Sequence, residues 1–165
     1  LDAGRQAALR AVEAADELFI GGEMGIGNTT AATAVACALL GADPEELAGP
    51  GTGLDAGGVA RKASVVRQAL VVHGGGIGEP LEALRRLGGF EIAALAGAFV
   101  ACGPRGLPAM VDGFIAGVSA LAATRLCPGL QPRLLFSHVS AEPGHARVMA
   151  TISPLDWSAS TNRSF

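Results

Sequence analysis

The residues best suited to chemistry lie in one glycine-rich segment, residues 22–30, with the sequence GEMGIGNTT. The segment stands between a predicted strand and a predicted helix, where glycines let backbone N–H groups converge. The first turn of the helix adds a partial positive charge, so the segment is suited to holding an anion, most often a phosphate. A tight turn followed by a helix cap, with no ligand, is the alternative interpretation.

The spacing from Gly22 to Thr29 nearly matches a P-loop, G-x-x-x-x-G-K-[ST], but Asn28 stands at the lysine position. That lysine supplies the charge that reaches the β- and γ-phosphates of a nucleotide, so a nucleotide triphosphatase is disfavoured. A monophosphate fits better because amides and hydroxyls alone can hold it. Glu23, a carboxylate beside this anion site, either serves the substrate or is a solvated loop residue.

Lys62 is the only lysine in the sequence; every other basic side chain apart from histidine is an arginine. It lies early in a predicted helix that follows the glycine-rich loop at residues 49–53. A single lysine among arginines is suggestive of a special role, but a lone surface lysine is the ordinary interpretation. The glycine clusters at residues 51–53 and 74–78 are either loops that contact a substrate or plain turns.

Polar residues follow two further predicted strands. Asp112 and Gly113 come directly after one strand, and Ser137 and His138 after the next. In open α/β sheets, ligands bind at the carboxyl ends of the parallel strands, so we expect these residues to face a ligand. A hydrolase triad is disfavoured because the chain has no G-x-S-x-G motif. His138 and His145 do not have the spacing of a helical metal-binding pair, and we predict no metal site.

Helices and short apolar strands alternate along the chain. The predicted class is therefore α/β, a three-layer Rossmann-like domain with a parallel sheet flanked by helices. Residues 1–152 form one predicted domain, and residues 153–165 form an irregular tail of different composition. The predicted helices cover residues 3–17, 29–40, 54–72, 81–87, 90–102 (buried on all sides) and 114–126, and the predicted strands cover 18–20, 107–111 and 134–136.

Composition excludes several classes of partner. Half of the residues are apolar and 16% are charged, with a net charge of −3 and no basic face for a nucleic acid. No apolar stretch is long enough to span a membrane, and the first residues do not form a signal peptide. We therefore expect a cytoplasmic protein. Its three cysteines, Cys37, Cys102 and Cys127, are predicted to be reduced core residues.

Five collinear blocks over about residues 1–150 resemble the C-terminal part of one family, the nicotinate-nucleotide–dimethylbenzimidazole phosphoribosyltransferases. The first block is residues 22–32, which include the glycine-rich segment. The others are residues 51–55 with Lys62, residues 88–92, residues 106–108 with 112–114, and residues 137–144.

The resemblance implies a transferase that needs no cofactor. Such enzymes move phosphoribosyl from nicotinate mononucleotide to dimethylbenzimidazole, invert the anomeric centre and release nicotinate during cobalamin synthesis. A carboxylate near the ribose would stabilise the oxocarbenium-like transition state. The resemblance also implies a homodimer. Its site residues would be Glu23 and Lys62 as catalytic residues, and Gly25, Gly27, Asn28, Thr29, Thr30, Asp112, Gly113, Ser137 and His138 as substrate-binding residues.

Two departures from the family bear on activity. Members are nearly double this length, and the N-terminal portion that forms much of the benzimidazole pocket has no counterpart among these residues. The family's general base is a glutamate in a Gly-Glu-Gly segment, whereas residues 154–165 contain no glutamate and only Asp156 as a carboxylate. We therefore expect impaired transfer by this chain alone. The alternative is a non-catalytic domain that binds a nucleotide monophosphate.

Overall fold

The computed structural model describes residues 1–153. The tail predicted at residues 153–165 lies outside the described residues except for Ser153. Short 3₁₀ turns, Gly103–Arg105 and Gln131–Arg133, precede the second and third strands. The elements in chain order are α1 (Asp2–Glu13), β1 (Phe19–Gly22), α2 (Thr29–Leu40), α3 (Pro44–Leu47), α4 (Ala56–His73), α5 (Pro80–Leu87), α6 (Phe90–Cys102), β2 (Ala109–Asp112), α7 (Gly113–Leu126), β3 (Leu134–Phe136) and α8 (Pro143–Ile152).

The three strands form one parallel sheet in the order β1-β2-β3. Helices connect consecutive strands, as parallel pairing requires. The predicted α/β class with a parallel sheet is confirmed. All three carboxyl ends therefore open on the same edge, where Gly22 pairs with Asp112 and Val111 pairs with Phe136.

Element ends differ from the prediction by a few residues. Helix α1 ends at Glu13 rather than at residue 17, because Ala15 adopts a left-handed conformation with φ 57°. Strand β2 begins at Ala109 rather than at residue 107, and the preceding Pro108 lacks the N–H that a central strand needs. Strand β1 is shifted toward the glycine-rich segment and includes Gly21 and Gly22. The shifts leave Asp112 as the last residue of β2.

The core is built around α7, whose residues from Phe114 to Ala123 are all buried. This helix contacts β1 and β2 as well as α2, α5, α6 and α8. Glycines allow helices α1 and α6 to pack with their backbones in close contact. A Cβ atom on Gly4 would overlap the backbone of Ala94, and one on Gly97 would overlap the backbone of Leu1.

The sequence predicted that helix α6 is buried on all sides, and this prediction is wrong. Its first residue, Phe90, is 97% exposed, whereas Phe99 is fully buried against the sheet next to Gly21. On the opposite face of the sheet, Ile20 and Leu135 are exposed. Across residues 1–153, no helix combines the length and the apolar composition that crossing a bilayer requires.

Candidate active site

A cleft with a volume of about 320 Å³ opens at the carboxyl edge of the sheet. Its walls come from the loops after all three strands and from the loop before α4. This is the place where open parallel sheets bind ligands. The lining residues are Glu23, Met24, Gly25, Thr29, Pro50, Gly51, Asp112, Gly113, Phe114, Ile115, His138, Ser140, Ala141 and Glu142.

Two hydrogen bonds hold the Glu23 carboxylate in a fixed position. The same oxygen, Oε2, accepts from the backbone N–H of Gly25 at 2.6 Å and from the Asn28 side-chain amide at 2.7 Å. The Asn28 amide, and then the Gly25 N–H, keep the pKa of Glu23 below its usual range, and slight burial opposes them. Glu23 is therefore a fixed negative charge at the cleft.

The side chain of Asn28 contacts Glu23 and does not cap α2. The residue occupies the N-cap position, but its amide group donates to Glu23 and makes no cap hydrogen bond. Within the described part of the chain, its Oδ1 atom is buried without a partner. Asn28 thus orients the carboxylate, and none of the side chains of residues 1–153 caps the N-terminus of α2, which the cleft reaches at Thr29.

Lys62 is a buried residue, so its interpretation as a surface lysine is wrong. The side chain is 5% exposed, and its Nζ donates to the carbonyl oxygen of Gly49 at 2.6 Å and to Oγ1 of Thr29 at 3.1 Å. Burial lowers the pKa of Lys62, and the negative charge of Glu142 partly offsets this effect. Thr29 lines the cleft, so the ammonium group stands directly behind its wall at the start of α2.

Glu142 joins two loops that lie far apart in the sequence. Its Oε1 accepts from the backbone N–H of Gly51 at 2.7 Å, across 91 residues. Glu142 is also the residue before α8, which begins with Pro143. Glu142 was not among the predicted site residues, and for the loop that contains Gly51 a plain turn was the alternative to a substrate contact. Both residues stand in blocks that resemble the family. Only their positions in the sequence could have indicated that they lie at the site, because Glu142 follows β3 and Gly51 lies in the loop that precedes Lys62.

Asp112, Ser137 and His138 form one exposed cluster. The Ser137 hydroxyl donates to Asp112 Oδ1 at 2.6 Å and lies 2.9 Å from His138 Nδ1, which is 3.3 Å from the same Asp112 oxygen. In a hydrolase triad the histidine bridges its partners with its two different nitrogens. Here a single ring nitrogen contacts both, so the geometry does not support nucleophilic hydrolysis. The φ of 78° at Gly113 lets the chain turn directly from β2 into α7.

The structure brings most of the predicted site residues together. Gly27 and Thr30 do not line the cleft, and Gly27 instead supplies a left-handed turn with φ 81°. The predicted residues that line the cleft are Glu23, Gly25, Thr29, Asp112, Gly113 and His138, and those that contact a lining residue are Lys62, Asn28 and Ser137.

Cleft size alone does not select this site. A cleft of about 680 Å³ lies between the start of α1 and the α5–α6 junction, with Leu1, Leu81 and Phe90 in its walls. It contains a surface ion pair between Glu82 and Arg85 but none of the residues after the strands. Within the described residues, no three His, Cys, Asp or Glu side chains are grouped to hold a metal ion.

Comparison with known proteins shows the family of the chain. A family model described as phosphoribosyltransferase matches residues 1–155. The chain belongs to this family. The expected resemblance to the nicotinate-nucleotide–dimethylbenzimidazole phosphoribosyltransferases is confirmed by relatives of that name. The protein from Pseudomonas aeruginosa strain PAO1 is 58% identical over 153 residues, and the protein from Azotobacter vinelandii is 60% identical over the same length.

Solved structures of the phosphoribosyltransferase family share the fold. The structure of CobT from Thermus thermophilus matches with a TM-score of 0.85 and 42% identity, covering 90% of this chain and 44% of its own. The two bacterial relatives are likewise covered over 44% of their length and cover 93% of this chain. The chain therefore spans less than half the length of the relatives it matches.

Proposed function

We propose that this chain binds the phosphoribosyl group of nicotinate mononucleotide for transfer to dimethylbenzimidazole. The observation that carries the proposal is the buried Lys62 ammonium group, which is held 3.1 Å from Thr29 Oγ1 at the N-terminus of α2. A P-loop places its lysine within the glycine turn, whereas here α4 supplies the positive charge from behind. The family membership and the named relatives support the same substrate.

The phosphate of the substrate would lie at the start of α2. There the helix N-terminus, the Thr29 hydroxyl and the Lys62 ammonium group provide positive charge and hydrogen-bond donors. A single phosphate suits a site with one lysine. Gly25 lines the cleft, and its φ of 79° admits no ordinary side chain, so the backbone can approach the ligand closely.

The transition state of the reaction would carry a partial positive charge on the ribose. The bond between the ribose C1 atom and the nicotinate nitrogen breaks, and its electron pair leaves with nicotinate. A benzimidazole nitrogen then bonds to C1 from the opposite face. Glu23, held as a carboxylate by Gly25 and Asn28, would stabilise the oxocarbenium-like transition state because its charge is fixed before the reaction. Asp112, Ser137 and His138 are the proposed partners of the ribose hydroxyls.

Attack by dimethylbenzimidazole also requires a base for its N–H proton. The resemblance assigns that role to a glutamate in a Gly-Glu-Gly segment, and this sequence contains no such segment. We therefore propose that these 165 residues bind the phosphoribosyl donor and transfer it weakly. A second chain or segment that supplies a base would raise the rate.

The resemblance further implies a cytoplasmic homodimer, and we propose both properties. The apolar side chains of Val65, Val71 and Val72 on α4 are 52%, 76% and 77% exposed, which gives the chain an apolar surface for a second copy. Light scattering after gel filtration tests the dimer. A monomer at all concentrations would contradict it.

The proposed reaction is tested by nicotinate release from nicotinate mononucleotide, with and without dimethylbenzimidazole. The proposal predicts binding of the nucleotide and slow release that depends on dimethylbenzimidazole. Glu23→Gln and Lys62→Met should each abolish that release. Binding with no release would favour the non-catalytic nucleotide-binding domain. A folded chain that neither binds nor turns over the nucleotide would refute both.

A further inference from the structure

One side chain that the proposed reaction does not use lies between two parts of the site. Glu142 lines the cleft, and its Oε1 accepts the Gly51 N–H at 2.7 Å. Gly51 belongs to the loop that connects α3 to α4, whereas Glu142 precedes α8. One carboxylate therefore joins the loop before α4 to the segment that follows β3.

The second oxygen of Glu142 faces the same loop. A Cβ atom added to Gly49 would overlap Glu142 Oε2 and would lie 2.6 Å from Cδ of Pro143. Gly49 is itself buried, so only a glycine lets the carboxylate pack against this backbone. Glu142 thus holds the loop at two points, with a hydrogen bond at Gly51 and with direct packing at Gly49.

This loop is also what fixes Lys62. The carbonyl oxygen of Gly49 accepts from Lys62 Nζ at 2.6 Å, the shorter of the two hydrogen bonds of that ammonium group. Burial lowers the pKa of Lys62, and the negative charge of Glu142 partly offsets this effect, in keeping with the contacts that both groups make with the loop. Glu142 therefore contacts the loop, and the loop in turn contacts Lys62.

We propose that Glu142 is a positioning residue that clamps the loop at residues 49–51 and so aims the Lys62 ammonium group at the substrate phosphate. This inference rests on the proposed function of the same cleft. Glu142 Oε2 is buried and has no hydrogen-bond partner among residues 1–153, an arrangement that costs stability.

The single lysine of the chain makes the clamp directly observable. Labelling with ¹³C-lysine gives NMR signals from Lys62 alone, and these report its environment with and without ligand. Glu142→Ala removes the clamp, whereas Glu142→Gln keeps an oxygen that can accept from Gly51. Glu13→Ala, which removes an exposed carboxylate from α1, is the matched control. If Glu142→Ala does not fold, Glu142→Met replaces it, because it keeps the packing over Gly49 without an acceptor.

In the unliganded chain, Glu142→Ala should move the Lys62 signals toward those of a solvated lysine. Glu142→Gln should leave the Lys62 signals near their wild-type positions. The pKa of Lys62 should be lower in this variant, because the negative charge of Glu142, which raises the pKa, is gone. Titration with nicotinate mononucleotide should show about tenfold weaker binding for Glu142→Ala and at most about threefold weaker binding for Glu142→Gln. Glu13→Ala should match the wild type.

Two outcomes would overturn the clamp. One is wild-type Lys62 signals and wild-type affinity in Glu142→Ala. The other is a Glu142→Gln variant as defective as Glu142→Ala, which would mean that charge rather than loop position matters. If the wild type itself does not bind the nucleotide, the proposed function fails. The Lys62 signals of the unliganded variants would still confirm or refute the clamp.

Discussion

The ammonium group of Lys62 on α4 donates to the hydroxyl of Thr29, the first residue of α2, at 3.1 Å. This contact places the only lysine of the chain where a phosphate would meet the N-terminus of a helix. The lysine is almost entirely removed from solvent, with 5% of its surface exposed. Burying a charge in this way is unfavourable for folding, so the contact points to function rather than stability.

Replacing Lys62 should therefore separate stability from binding. Lys62→Met removes the buried charge and keeps the volume of the side chain. We expect the free energy of unfolding to change by less than about 2 kcal/mol, because the desolvation cost of the ammonium group disappears together with its hydrogen bonds to Gly49 and Thr29. Urea denaturation measures it. A loss of about 3 kcal/mol or more would show that Lys62 is a structural residue.

Glu23 should favour cationic ligands. The wild-type chain is expected to bind an imino-ribitol 5-phosphate, which carries a positive charge near the reacting carbon, at least about tenfold more tightly than ribose 5-phosphate. Glu23→Gln keeps the size of the side chain and loses the charge, so the two ligands should then bind alike. Calorimetric titration gives both affinities. A preference that survives in Glu23→Gln would exclude Glu23 as its source.

His145 should make the fold sensitive to acid. It is fully buried, and its Nδ1 accepts from the Ser140 N–H at 2.7 Å. Burial, together with the nearby His138, lowers the pKa of His145 to about 4, although Asp112 opposes the shift. Between about pH 4 and pH 6.5, His145 is protonated in the unfolded chain but not in the folded chain. Its contribution to stability is therefore fully present above pH 6.5 and is lost as the pH drops toward 4.

The expected loss from His145 between about pH 7 and about pH 4 is about 3 kcal/mol, since one pKa unit corresponds to about 1.4 kcal/mol. His145→Asn retains an acceptor for Ser140 and cannot take up a proton in this range. Between about pH 7 and about pH 4, the unfolding free energy of this variant should therefore fall by about 3 kcal/mol less than that of the wild type. Denaturation curves at several pH values make the comparison, and equal slopes for the two proteins would count against this origin of the acid sensitivity.

The contact between α1 and α6 should tolerate no methyl group at Gly4. Its Cβ atom would overlap the carbonyl group of Ala94, and the backbone of α6 cannot rotate away as a side chain could. Gly4→Ala should reduce the free energy of unfolding by about 1–3 kcal/mol. Gly75→Ala is the control, because no described residue lies within 4 Å of its Cβ position and its φ is not in the left-handed region. Equal stability of the two variants would disprove the close contact.

Much of the site could be predicted from local sequence. The glycine-rich segment and the polar residues after the strands revealed the carboxyl edge of the sheet. The contacts of Lys62 and Glu142 could not be predicted this way. Their partners lie 13, 33 and 91 residues distant, and only the folded loop at residues 49–51 brings them together.

Other errors had local causes. Asparagine is a common cap at a helix start, but the Glu23 carboxylate offers the Asn28 amide a charged acceptor instead. Helix α6 is apolar all round, so its sequence has no periodicity that could show Phe90 to be exposed. The helix α8 was missed, although Pro143 at its first position is a common start signal.

We propose above all that Lys62 and the N-terminus of α2 recognise the phosphate of a ribonucleotide. Calorimetric titration of the folded chain with nicotinate mononucleotide and with nicotinate riboside, which lacks only the phosphate, measures this recognition. The mononucleotide should bind at least about tenfold more tightly than the riboside, and Lys62→Met should lose that preference. Equal affinity for the two ligands, or a preference unchanged in Lys62→Met, would contradict it.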